Sequence, residues 1–516
     1  MKKLFKILLI IALISANQTS YANDAIYSTN DLRTKFLNKN AIIYGINLRT
    51  FNANDKNGDE IIDFRNGEES GSFINAIDRL DELKSFGINT IHLLPITPVG
   101  KVKAIGTAGS LYAVSDLTTL NPQLADKKSK LTLEQQAKLF IDECHKRNIR
   151  VVVDLPSCGS YDYYLEQPNL FVLDKEQQPV IPADWTDVRV FKTLNNDGSV
   201  NQELLVQHKK FVDMIMGIGA DGIRADVATI KPYDFWVKLI KYARDKDPEF
   251  LFLAEASDSW TDPPSPYAPF TNYKKLLEAG FDGYYGSYFD LKKWKKPAEL
   301  KKQVDLTQSL NSEFKSPKAV IGSFATHDEL SPIVTGKSKF SEMIMWLDAT
   351  LPLNPYYTDG FMTGDSYLYQ YANKKAIQSY TDDDYYYVHN GKLDIFNYSR
   401  RPGGKNANLL GTFFLSIKLR EFANDVVTKG SFKLLPTNNS NIFAYARNYQ
   451  NKTLLVILNR NLGEKQTVEI RIRGISEKTH VMPIKFTNAP EALPGKIKLN
   501  MEQGDSVVLF LNDFKI

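Results

Sequence analysis

Between about residue 41 and residue 360, eight short apolar runs alternate with amphipathic helical stretches. The runs are AIIYGINL (41–48), TIHLLPI (90–96), RVVVDLP (150–156), GIRADVA (222–228), FLFLAEA (250–256), FDGYYG (281–286), AVIGSFAT (319–326) and TLPLNPYYT (350–358). Strands that are apolar at nearly every residue are buried on both faces, as in a parallel sheet covered by helices. FINAIDRLDELKSFG, LEQQAKLFIDECHKRN and FWVKLIKYARD supply such helices. Eight strand-and-helix units closing on themselves predict an α/β chain with a (β/α)8 TIM barrel. An open doubly wound sheet shares the pattern, but it would spread out acidic strand ends that a barrel brings together.

Three further segments flank or interrupt this pattern. Residues 155–200 are rich in Pro, Asp, Tyr and Trp and lack a helical period, which predicts a loop subdomain leaving the third strand. Long loops inside compact domains are usually functional. From about Ser431 the runs SFKLLPT, IFAYARNY, KTLLVILN, TVEIRIRG, HVMPIKF and DSVVLFLN are separated by Asn, Gly and Lys turns. They predict a C-terminal antiparallel β-sandwich domain. At the other end, Lys2, Lys3 and Lys6 precede an apolar run from Ile7 to Ile14 and the small residues Ser20 and Ala22. That is the form of a signal peptide, with cleavage expected after Ala22 and a secreted or periplasmic product. The expected organisation is a signal peptide at 1–22, a catalytic barrel at 23–425 including the subdomain 155–200, and a β domain at 426–516.

Composition narrows the partners. The net charge is +4 over 516 residues with no long basic block, which argues against nucleic acid and anionic lipid. No later segment approaches the roughly 20 continuous apolar residues of a membrane helix. Cys144 and Cys158 are the two cysteines, so disulfides do not build this fold, and their different settings predict two unpaired thiols. The 26 tyrosines suit stacking on sugar rings, and a neutral oligo- or polysaccharide is the expected partner.

The chemistry sits at strand ends. VVVDLP ends in Asp154, GIRADVA carries Asp226, FLAEAS carries Glu255 and FATHDEL carries Asp328. A carboxylate at the end of an apolar strand is costly to bury unless paired, so several converging on one face need a reason. Glycoside hydrolysis supplies one, since it needs two carboxyl groups across the scissile bond, one protonated and one ionised. Arg224 lies two residues before Asp226, on the same side of its strand, and can hold Asp226 ionised.

Taken in order, these segments resemble the signature regions of the α-amylase family of glycoside hydrolases. The likeness runs from YGINLRTF through LPLNPYYTDG and into the C-terminal β domain. By motif position it implies Asp226 as nucleophile, Glu255 as acid/base and Asp328 as transition-state stabiliser. Arg224 would bind the nucleophile, His327 and Asp154 the sugar, and Tyr112 of GSLYAVSDL would form a stacking floor. Such enzymes work by double displacement with retention.

The loop DKNGDEIID places Asp55, Asn57, Asp59, the carbonyl of Ile61, and Asp63 at alternate positions, a spacing that suits a hard cation such as Ca2+. It also resembles a calcium loop in the family's oligosaccharide-cleaving branch. Two departures stand out. Cys158 and Gly159 replace the family's Asn-His pair, and Thr229 and Ile230 replace a Lys-His pair. They favour an exo-acting or oligosaccharide enzyme over a starch endo-amylase. His92, His145, His208, His389 and His480 form no ligand-spaced pair and are expected to be surface or packing residues. Trp185 and Trp260 are candidates for the sugar groove. A transglycosylase or sugar isomerase, or a non-catalytic carbohydrate-binding protein, are the competing readings.

Overall fold

The computed structural model describes residues 30–54, 56, 64–104, 109–182, 185–329, 331–365, 407–472, 479–485 and 495–515. The signal segment, the proposed ligands Asp55, Asn57, Asp59, Ile61 and Asp63, and His389 lie outside the described residues.

Eight strands form one sheet with every pairing parallel: β1 (Ile43–Ile46), β2 (Thr90–Leu93), β3 (Arg150–Leu155), β4 (Gly222–Ala225), β5 (Leu251–Ala254), β6 (Gly283–Tyr284), β7 (Ala319–Val320) and β8 (Tyr356–Thr358). Sequence neighbours pair in turn, and β8 pairs with β1. A parallel bridge between Ile321 and Asn354 joins the β7 end to the β8 end, so the sheet closes into a barrel. Each apolar run of the sequence contains one of these strands, and every strand residue from β1 to β5 is buried.

Helices seal the outer face. Leu133–Lys146 starts at a capping box of Thr132 and Gln135 and buries Ala137, Phe140, Ile141 and Cys144. Gln202–Gly217, Tyr233–Arg244 and Pro297–Glu313 follow the same plan. Among the described helices, none is long and apolar enough to cross a membrane. Both cysteines are free and buried.

The excursion after β3 is more ordered than its sequence predicts. Ser160 caps a short helix, Tyr161–Glu166, and Gly159–Ser160 pairs antiparallel with Val188–Arg189. Its own apolar cluster contains Cys158, Val180, Val188 and Val190. A helix of six residues is too short to show a period in sequence.

The C-terminal part is a sandwich of two antiparallel sheets. The larger has the order β9 (Ser431–Leu434), β10 (Ile442–Tyr449), β11 (Lys452–Asn459), β15 (Ser506–Asn512), β13 (His480–Lys485), and the smaller pairs β12 (Gln466–Arg471) with β14 (Lys496–Met501). Side-chain alternation explains why KTLLVILN is apolar throughout. Leu454, Val456 and Leu458 join the core shared with the barrel helices, whereas Leu455 and Ile457 face the small sheet. The larger sheet is therefore a middle layer, buried on both faces.

Candidate active site

The barrel delivers its chemistry at the carboxyl ends of the strands. Asp154 is on β3, Arg224 is on β4 with Asp226 one residue past its end, and Glu255 follows β5. Asp328 comes after β7 and a 3-10 turn at Ser323–Ala325. All of them meet on one guanidinium. Arg224, fully buried, lies 2.8 Å from Asp154, 2.9 Å from Asp226, 3.0 Å from Glu255 and 3.7 Å from Asp328. Its Nε donates to the Tyr285 hydroxyl at 2.9 Å.

One cation cannot neutralise four carboxylates, so their proton affinities must separate. Asp154 takes the charge. Burial works to raise its pKa, but Arg224 and then His92 overcome that and hold it down at about 2. Glu255 goes the other way: burial first, then Asp226 and Asp328, push it well above the usual carboxylate range despite Arg224. Asp328 is also pushed up, by burial first and then by its acidic neighbours. A neutral, 8% exposed Glu255 at the cleft is a proton donor in waiting.

Beneath the cleft lies a proton network rooted in Asp154. Its Oδ2 accepts from the Tyr112 hydroxyl at 2.7 Å and faces His92 Nε2 at 3.2 Å. Burial lowers the pKa of both His92 and His327, so both rings are neutral. With Asp154 accepting only, His92 carries its proton on Nε2, and its bare Nδ1 accepts from Tyr356 Oη at 2.9 Å. The single Tyr112 proton goes to Asp154, so His327 Nε2–H donates to Tyr112 Oη at 2.7 Å. Tyr112 and His327 also stack, with rings 6.0 Å apart and 8° from parallel. Gly45 belongs to this floor: a Cβ there would come within 2.6 Å of Tyr356 Oη.

His92 therefore corrects the sequence expectation. It is neither a surface residue nor mere packing, being 1% exposed and hydrogen-bonded to a site carboxylate. Its place at the third residue of TIHL, on a strand whose inner face is read only once the barrel closes, was the available signal. Ser157, Tyr285 and Tyr356 were likewise absent from the sequence reading. His145 bonds Asp221 at 2.8 Å and His208 is buried against the Leu204 carbonyl, both in packing roles.

Just past Asp226 the chain is strained. Val227 has φ +33°, a left-handed conformation that a β-branched residue adopts at a cost of roughly 1–3 kcal/mol. The turn aims Val227 N–H at Glu255 Oε2, 2.6 Å away.

Above these groups opens a cleft of about 480 Å³, lined by Tyr112, Asp226, Glu255 and Asp328 and walled by Trp185, Trp260, Tyr285 and Phe289. Both tryptophans singled out in the sequence are there. None of the described lining residues is Lys or Arg. The two departures from the family pattern meet at one wall, where Cys158 and Ile230 pack with Val188 in one apolar cluster. Cys158 and Ile230 thus fill with apolar contact a wall where the family pattern would put polar side chains. Among the described residues there is no cluster of His, Cys, Asp and Glu arranged to hold a metal.

Comparison with known proteins points the same way. No family model matches the chain. It is 23% identical to the cyclomaltodextrinase of Thermoanaerobacter pseudethanolicus over 480 residues, covering 86% of this chain and 74% of that protein. It is 26% identical to an α-1,4-glucan:maltose-1-phosphate maltosyltransferase of Bifidobacterium animalis subsp. lactis over 37% of this chain, a match that spans only 28% of that protein. In fold it is similar to the crystal structure of an α-amylase from Lactobacillus plantarum, with a TM-score of 0.66 at 20% identity, covering 92% of this chain and 99% of the other. The ordered strand-end motifs thus resemble those of the α-amylase family of glycoside hydrolases, and the barrel with its C-terminal sandwich is similar in fold to a solved α-amylase.

Proposed function

We propose that this enzyme hydrolyses α-glucosidic bonds of neutral gluco-oligosaccharides with retention of configuration. One observation carries the reading: Asp226 and Glu255 share the Arg224 guanidinium at the base of one cleft, with Glu255 held neutral by its surroundings. Glu255 protonates the glycosidic oxygen while Asp226 attacks the anomeric carbon. Water then attacks the glycosyl-enzyme, giving its proton to Glu255. Asp328, at the rim, accepts sugar hydroxyls during ring distortion, and Tyr112 stacks beneath the ring.

The described lining residues include Asp226, Glu255, Asp262, Asp328 and Glu329 and no Lys or Arg, which favours a neutral substrate, because a phosphate group would meet carboxylates there. The name of the cyclomaltodextrinase relative agrees with a short or cyclic glucan. Incubation with starch, cyclodextrins, maltooligosaccharides, isomaltose and maltose 1-phosphate, followed by NMR of the anomeric protons, tests the reading. Release of α-anomeric sugar from an uncharged oligosaccharide is expected. Initial release of the β anomer refutes retention, and binding without turnover points to a carbohydrate-binding protein.

Calcium is part of the proposal on the DKNGDEIID spacing alone. Calcium is expected to raise the unfolding midpoint of the wild type and not that of an Asp55→Ala, Asp59→Ala double variant. An equal response in both proteins rules out this loop as the site.

A further inference from the structure

Deepening the hydrolase reading, on which it rests, we propose that Ser157 is a catalytic residue that governs the return of the nucleophile from the glycosyl-enzyme. Asp226 is held at both oxygens. Oδ1 takes Arg224 Nη1 at 2.9 Å, while Oδ2 accepts from both Ser157 N at 3.1 Å and Ser157 Oγ at 2.5 Å. Ser157 is 3% exposed and lines the cleft, so its hydroxyl meets the reacting carboxylate away from bulk water.

The position is built. Pro156 precedes Ser157 and restricts its own φ. The Ser157 carbonyl accepts from Lys231 Nζ at 3.0 Å, and Lys231, 1% exposed, is tied down by Thr271 Oγ1 donating to its carbonyl at 2.8 Å. Lys231 is thus a positioning residue acting through the Ser157 peptide.

The chemical consequence follows from where the charge goes. Asp226 carries a full negative charge in the free enzyme, a partial one in both transition states and none as the glycosyl ester. A donor to Oδ2 is therefore strongest before the first step and weakest in the intermediate. It slows attack slightly and speeds the second step. There, water's oxygen bonds to the anomeric carbon, its proton passes to Glu255, and the carbon–oxygen ester bond breaks. The electron pair returns to the Asp226 carboxylate, where the Ser157 donors meet it.

The test is Ser157→Ala on α-maltosyl fluoride, whose leaving group needs no proton from Glu255. kcat is expected to fall about tenfold, the effect of one charge-assisted hydrogen bond, with KM falling beside it so that kcat/KM does not drop. Intact-mass spectrometry should show maltosyl-enzyme accumulating in steady state. Ser157→Thr, which keeps the hydroxyl, should behave as wild type, and Ser157→Val, of the same shape, as Ala; this pair decides the matter if the Ala variant does not fold. A folded Ala variant with unchanged kcat and no accumulated intermediate overturns the proposal. So does a fall in kcat/KM as large as that in kcat. A wild type silent toward α-maltosyl fluoride instead overturns the hydrolase reading and this inference with it.

Discussion

Asp226→Ala should cut kcat by roughly 10⁴-fold to 10⁶-fold while leaving the protein folded, with the small residual rate supplied by binding and electrostatics. The Arg224 cluster makes the second half of that statement firm. Asp226 shares the Arg224 guanidinium with the ionised Asp154 and works against ionisation of Glu255 and Asp328, so deleting it relieves repulsion and leaves Arg224 paired with Asp154. The thermal midpoint is expected to stay or rise, the usual exchange between stability and activity at such sites. The roles can be told apart with azide and α-maltosyl fluoride. In Asp226→Ala, azide enters the space left by the carboxylate and yields the β-glycosyl azide. In Glu255→Ala it attacks the intact glycosyl-enzyme and yields the α-glycosyl azide. Two variants giving the same anomer would refute the assignment of nucleophile and acid.

Arg224→Met is expected to cost about 3 to 5 kcal/mol of folding stability, the most severe loss of any single substitution considered for this site. The cause is Asp154, fully buried and left with no cation, since the two histidines beside it are neutral. Adding Asp154→Asn should recover much of the loss in urea denaturation, because it removes the stranded charge; failure to recover would mean that Arg224 stabilises by packing alone. Asp154 has its own pH signature. Its carboxyl is held from 3.8 down to about 2. A group depressed in this way contributes stability above its unfolded value and loses it as the pH falls through its folded value. The wild type should therefore lead Asp154→Asn by roughly 2 kcal/mol above pH 4, a margin that vanishes toward pH 2.

The strands were legible because fully buried parallel strands must be apolar at nearly every residue, and β3 to β5 have that character. The acids stood out because a charge at the end of such a run is anomalous. Tyr112 could be placed only by resemblance, and its double role, stacking on His327 while bonding Asp154, depends on loop geometry. His92 and Ser157 were missed for a shared reason. Each is a small polar signal inside or beside an apolar segment, and nothing local tells an inward residue that meets a carboxylate from one that packs.

By itself, then, the amino-acid sequence determined the order and type of elements, the C-terminal sandwich and which carboxylates arrive at the strand ends, since periodicity and burial cost are properties of a local stretch. Tertiary structure alone decided how those charges share one guanidinium, and hence that Asp154 is ionised and Glu255 neutral. It also brought Ser157 onto Asp226 across 69 residues of chain and packed Cys158 with Ile230. Proton affinity depends on the sum of burial and every neighbouring charge, and those neighbours come from strands that meet only when the barrel closes.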